Sequence, residues 1–99
     1  MLINFDFRLF QPSDELITYV SERFHKLDKL DRKSVRAEVV FSIQKNSSRC
    51  AVTIRGSGLE IYACAESEDF FASVDRVSQK LTKQLQRGKT RPRDTRRRA

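Results

Sequence analysis

The sequence predicts an α+β fold: a two-layer sandwich of β-α-β-β-β-α order, a four-stranded sheet with two helices packed on one face. Three observations predict it. Four segments alternate apolar and polar residues, two others repeat apolar residues every three or four positions, and short turn-like breaks separate the later strands. The 99 residues are expected to form one domain over 1–89, followed by a disordered basic tail over 90–99.

Residues 2–10 set Ile3, Phe5, Phe7 and Leu9 on one side and Asn4, Asp6 and Arg8 on the other, the pattern of a half-buried strand. Pro12-Ser13-Asp14-Glu15 opens a helix, with Ser13 as N-cap and carboxylates near the positive end of the helix dipole. Leu16, Ile17, Val20, Phe24, Leu27 and Leu30 face inward from it, and it is expected to end near Asp31.

Three strands follow, alternating at Ala37, Val39, Phe41 and Ile43, then Cys50, Val52 and Ile54, then Leu59, Ile61, Ala63 and Ala65. A two-residue turn at Asn46-Ser47 would set Ile43 opposite Cys50 and Phe41 opposite Val52. Another at Gly56-Ser57, suited to a type II′ hairpin, would set Ile54 opposite Leu59 and Cys50 opposite Ala63. Both registers keep the apolar partners on one face. The other face, with Arg36, Glu38, Arg49, Thr53, Arg55 and Glu60, is polar and is assigned no function. Tyr62 and Phe10 are read as single exposed aromatics or a protein contact.

The last helix begins near Ser67-Glu68-Asp69, again a cap with early acids. Phe70, Val74, Val77, Leu81 and Leu85 face inward, and Gly88 is the expected stop. Phe71 is read with Phe70 as core.

Hydrophobic residues make up 38% of the chain, below the ~45–50% usual for globular domains, so the core must be efficiently patterned. The net charge is +7, and the stretch from Arg87 to Ala99 carries seven cations against the single anion Asp94. The body is therefore nearly neutral, and any basic patch on it requires charge segregation. The only cysteines, Cys50 and Cys64, fall on opposite sheet faces in the expected register and cannot pair. No signal-like or membrane-length apolar run occurs. A reduced, cytoplasmic protein is expected.

The charge segregation is visible in one place. From Arg76 to Arg93 there is no acidic residue. Arg76, Lys80, Lys83 and Arg87 recur at helical spacing and share one side of the last helix. The helix dipole favours cations near a C-terminus, which accounts for Lys83 and Arg87 but not for Arg76, three turns earlier. A single-signed stripe repels itself and suits a polyanion, of which nucleic acid is the commonest. In the first helix Lys26, Lys29 and Lys33 also share a side, with Glu15 and Glu22 near it, a mixture usual for a solvated face.

Chemistry is poorly represented. His25, the lone histidine, has no nucleophile or paired carboxylate arranged around it. Glu66, Glu68, Asp69 and Asp75 are accounted for by helix-start charge and pairing with nearby cations. There is no phosphate-binding glycine loop and no zinc spacing, so no cofactor or metal is expected and an enzyme is the weakest class.

Two segments carry a family resemblance: Arg23-Phe24-His25-Lys26-Leu27-Asp28-Lys29-Leu30, and AESEDFFASVDRVSQKLTKQLQRGK at residues 65–89. Together with the six-element order, residues 1 to about 89 resemble the short ribosome hibernation-promoting factors, also called ribosome-associated inhibitors or sigma-54 modulation proteins. The resemblance implies binding to small-subunit ribosomal RNA, of 16S type, in the channel used by messenger and transfer RNA, with translation blocked. It places RNA contacts at Arg23, Lys26, Lys29, Lys80, Lys83 and Arg87, with Arg76 and Lys89 in or beside the same stripe. It also implies a protein that is monomeric off the ribosome, with no membrane and no small-molecule substrate. Three departures stand out. Phe71 replaces the family's usual tyrosine, the tail is longer and more basic than in short members, and no second domain follows.

The tail cations Arg91, Arg93, Arg96, Arg97 and Arg98 are read as auxiliary RNA contacts. About six to eight phosphate contacts would make affinity fall steeply with salt. Two further readings stand beside this one. A stand-alone double-stranded RNA-binding protein has α-β-β-β-α order, present here after the first strand. A protein-binding regulator of transcription would bind in a way that survives high salt.

Overall fold

The computed structural model describes residues 2–8, 10–25, 35–56 and 58–90, with the backbone alone at 59 and 87–90. The elements are β1 (Leu2–Phe7), α1 (Asp14–His25), β2 (Arg36–Gln44), β3 (Ser47–Gly56), β4 (Leu59–Ser67) and α2 (Phe70–Thr90). This is the expected order and fold class. The sheet runs β1-β2-β3-β4, with β1 parallel to β2 and the other pairs antiparallel. Parallel neighbours need a crossover, and α1 lies on the chain between them.

Both hairpin turns differ from expectation by one residue, in opposite directions. β2 and β3 are joined at Lys45-Asn46, so Phe41 faces Cys50, Val39 faces Val52 and Ile43 faces Ser48. Lys45 supplies the positive φ of 58° that a tight hairpin loop requires, an unusual duty for a lysine. β3 and β4 pair through Gly56 and Leu59, so Cys50 faces Ala65 and Ile54 faces Ile61, with Gly58 at φ 74° in the loop. Moving a turn by one residue shifts the register by two. Each side chain therefore keeps its face, and the expected core survives the correction except at Ile43, which is 57% exposed near the end of β2.

That core is one-sided. Ala37, Val39 and Phe41 of β2, Cys50, Val52 and Ile54 of β3, and Ala63 and Ala65 of β4 are buried beneath Leu16, Val20 and Phe24 of α1. Val74, Val77, Leu81 and Leu85 of α2 complete it. Ile3, Phe5 and Phe7 of β1 pack against the edge of this cluster. Phe10, read as exposed, is half-buried, stacked on Phe70 at 5.2 Å and edge-on to Phe7 at 5.5 Å. Phe71, read as core, is 38% exposed. Helical spacing explains the difference: one position after Phe70 is ~100° around the helix, off the buried side.

Ser13 caps α1 as expected: its hydroxyl accepts from the Leu16 amide at 3.2 Å and its carbonyl from Ile17 at 3.0 Å. The cap of α2 is Asp69, whose carboxylate accepts from the Ala72 amide at 2.8 Å. Ser67, the expected cap, belongs to β4. Ser73 is wholly buried and donates its hydroxyl to the Ser48 carbonyl at 2.6 Å, fastening the first turn of α2 to the start of β3. Gly88 does not stop α2, which continues to Thr90. The expected end of α1 near Asp31 lies outside the described residues.

Cys50 is buried and Cys64 half-buried on the opposite face, both as free thiols. Burial pushes the Cys50 thiol up to about 12 from its ordinary 9.0. Between those values the unfolded chain releases a proton that the folded chain keeps, so this contribution to stability is intact below pH 9 and is lost as pH rises toward 12. Unfolding free energies of wild type and Cys50→Ala measured from pH 8 to 11 should diverge. The wild type should fall more steeply, by at most about 1.4 kcal/mol per pH unit; parallel curves would contradict the assignment.

Candidate nucleic-acid interface

α2 lies antiparallel along β4, an edge strand of the sheet, and this placement decides what its cations do. Arg76 Nη1 donates to the Glu66 carbonyl at 3.1 Å and Lys80 Nζ to the Cys64 carbonyl at 2.8 Å. One helical step further, Gln84 Nε2 donates to the Tyr62 carbonyl at 2.9 Å. Lys83 makes no hydrogen bond or ion pair with another described residue, and it is exposed. Arg76, Lys80 and Lys83 line one open cleft of about 430 Å³ beside Ala65 and Glu66. None of these three cations is paired with a carboxylate among the described residues, so the stripe keeps its charge.

Arg23 behaves differently. Its guanidinium lies 2.7 Å from the Asp75 carboxylate, 2.8 Å from the Tyr19 hydroxyl and 5.0 Å from the centre of the Tyr19 ring. Tyr19 also donates its hydroxyl to Asp75 at 2.7 Å and meets the Phe71 ring edge-on at 5.1 Å. The Tyr19 hydrogen bond foremost holds the Arg23 pKa above its ordinary value; burial opposes it, and the Asp75 carboxylate adds a lesser upward effect. The four residues fasten α1 to α2. Arg23 is therefore a partly neutralised cation at the wall of the groove between the helices, a groove that it lines with Asp75, Ser78, Thr82 and Lys83.

Of the expected contacts, the structure brings Arg76, Lys80 and Lys83 together on one cleft and sets Arg23 across the interhelical groove from Lys83. Lys26 and Lys29 lie outside the described residues. So do the side chains of Arg87 and Lys89 and the tail residues Arg91, Arg93, Arg96, Arg97 and Arg98. His25 is exposed on the last turn of α1. The acids have plain roles, since Asp69 caps α2, Asp75 pairs with Arg23 and Glu66 lies 3.8 Å from Arg49. Among the described residues no group of three or more histidine, cysteine or carboxylate side chains could hold a metal ion, and no helix is long and apolar enough to cross a membrane. Sequence reasoning missed Gln84 and Tyr19. Both were reachable: Gln84 continues the four-residue series of Arg76 and Lys80, and Tyr19 stands four residues before Arg23.

Comparison with known proteins identifies the family. Residues 3–93 match the model of the family described as sigma 54 modulation protein / S30EA ribosomal protein. The chain belongs to this family. A ribosome hibernation promoting factor of Azotobacter vinelandii is 29% identical over 85 residues, spanning 86% of this chain and 79% of that protein. Its counterpart in Salmonella typhimurium is 31% identical over 77 residues, spanning 78% and 81%. The crystal structure of the Thermus thermophilus Protein Y N-terminal domain superposes with a TM-score of 0.80 at 26% identity, covering 88% of this chain and 98% of that domain. In this S30EA-family chain, Arg76, Lys80 and Lys83 of α2, without carboxylate partners among the described residues, stand on a fold shared with that domain.

Arg23 and Asp75 are each more than a third exposed, so solvent screening limits what their pair contributes. A double-mutant cycle across them should give a coupling below about 1 kcal/mol that shrinks as salt rises. A coupling of several kcal/mol, independent of salt, would contradict this account.

Proposed function

We propose that this chain is a ribosome hibernation factor that binds small-subunit ribosomal RNA in the channel used by messenger and transfer RNA, and silences translation by occupying that channel. The observation that carries the proposal is the set Arg76, Lys80 and Lys83: three α2 cations with no carboxylate partner among the described residues, on one cleft. Fixed uncompensated charge of this kind displaces counterions from phosphates and draws affinity from their release. The names of the relatives supply the ribosomal context. No bond is made or broken in this mechanism, since inhibition comes from steric overlap with transfer and messenger RNA. The protein acts in the cytoplasm, as a monomer off the ribosome, without a small-molecule substrate.

Lys83 is the informative position, because it alone of the three makes no intramolecular bond to the sheet. Lys83→Glu should leave the melting temperature nearly unchanged and lower binding to purified small subunits by at least about tenfold at moderate salt. Unchanged cosedimentation would sink the proposal. The same gradients test the other readings. Free duplex RNA should compete poorly and transfer RNA well, and binding that survives high salt would favour a protein partner instead.

The tail is proposed as an auxiliary RNA contact. Removing residues 90–99 should weaken small-subunit binding and flatten its dependence on salt. An unchanged salt slope would leave the tail without that role.

A further inference from the structure

The bonds from α2 to β4 form a ladder with matched spacing. Arg76, Lys80 and Gln84 advance four residues at a time, about 6 Å along a helix. Their acceptors, Glu66, Cys64 and Tyr62, recede two residues at a time, about 6.8 Å along a strand. The two repeats stay in step for three rungs. The series ends where the sequence offers no donor, at Ala72 before it and Gly88 after it.

The ladder changes the chemistry of the sheet edge. In an antiparallel strand, residues that turn their carbonyls away from the neighbour turn their N–H groups the same way. The N–H groups of Tyr62, Cys64 and Glu66 therefore point along the same free edge, and no described group accepts from them. Three carbonyls of this edge, those of Tyr62, Cys64 and Glu66, already accept from α2 side chains. What remains is a row of donors: the main-chain N–H groups, the unused protons of Arg76 and Lys80, and the second amide proton of Gln84. An incoming peptide strand needs acceptors as well as donors and meets the side chains of Arg76, Lys80 and Gln84 standing on these carbonyls. The phosphates of a nucleic-acid strand offer only acceptors, carry negative charge, and repeat at a distance comparable to the strand's two-residue step. The single acid on this cleft, Glu66, is turned toward Arg49 at 3.8 Å.

We propose that the cleft between α2 and the free edge of β4 is a track for the backbone of one RNA strand. Its phosphates engage Arg76, Lys80 and the N–H groups of Cys64 and Glu66, and Gln84 serves as the third rung. This rests on the RNA-binding reading above. It adds an uncharged side chain and the main chain of a strand to a surface otherwise described by its cations.

Gln84 separates the track from a diffuse basic patch. Binding of the full chain to purified small subunits would be measured at several salt concentrations for three variants. Gln84→Leu should weaken binding about three- to tenfold with the salt slope unchanged, because a donor is lost but no charge. Gln84→Lys keeps a donor for the Tyr62 carbonyl and adds a cation, so it should restore or exceed wild-type binding and steepen the slope by about one. In the wild type, the amide signals of Cys64 and Glu66 should move on titration with a single-stranded oligoribonucleotide. If Gln84→Leu is folded and binds like wild type while Lys83→Glu does not bind, the track is wrong and the RNA reading stands. Stationary Cys64 and Glu66 amides alongside moving α2 signals would also overturn it. If Lys83→Glu binds normally, both fall.

Discussion

Phe41 sits where the layers of this small protein meet, and the position of the cationic cleft depends on what it touches. Its ring stacks on Phe7 of β1 at 5.1 Å and receives Phe70, the first residue of α2, edge-on at 5.2 Å. Phe10 closes the group from the segment before α1 by stacking on Phe70. Aromatic pairs of this kind contribute about 0.5–1.5 kcal/mol each beyond the area they bury. Here they also fix where α2 begins, with help from Ser73 beneath the first turn. Once its start is fixed, four-residue steps carry the helix along β4, and its cations fall beside the sheet edge.

Two groups of charge result, held in contrasting ways. Asp75, the only carboxylate well inside α2, is turned toward α1 and spent on Arg23 and Tyr19. Arg76 and Lys80 are turned toward β4 and meet carbonyl dipoles, which orient them without cancelling them. A nearly neutral body thus presents a positive cleft by sorting its charges between two sides of one helix. Low hydrophobic content is compatible with this because the sheet needs covering on one face only.

Much of the fold was legible in the sequence, since strand alternation and helical spacing are direct readings of which face meets the core. The turns were less legible. Lys45 adopts a positive φ that the sequence gives no reason to expect beside Asn46. A one-residue error there is silent in the face pattern, because it moves the register by two. Asp69 and Ser67 are both good caps, and the choice between them depends on where β4 lets go of the sheet. At the interface, spacing put Arg76, Lys80 and Lys83 on one side of α2. It did not reveal that two of them bend onto strand carbonyls, which requires knowing that β4 is the edge. Nor could it tell that Arg23 would be engaged by a carboxylate on the other helix.

The parallel pairing of β1 with β2 has a kinetic meaning. Each hairpin of β2, β3 and β4 closes between neighbours in the chain, and α2 folds back directly onto the strand it follows. β1 has no such local partner. Leu2 must find Arg36 across the whole of α1, so the loop entropy is lost before those contacts are made. The three hairpin strands with α2 can therefore assemble first, carrying the cationic cleft complete, while β1 and α1 dock afterwards.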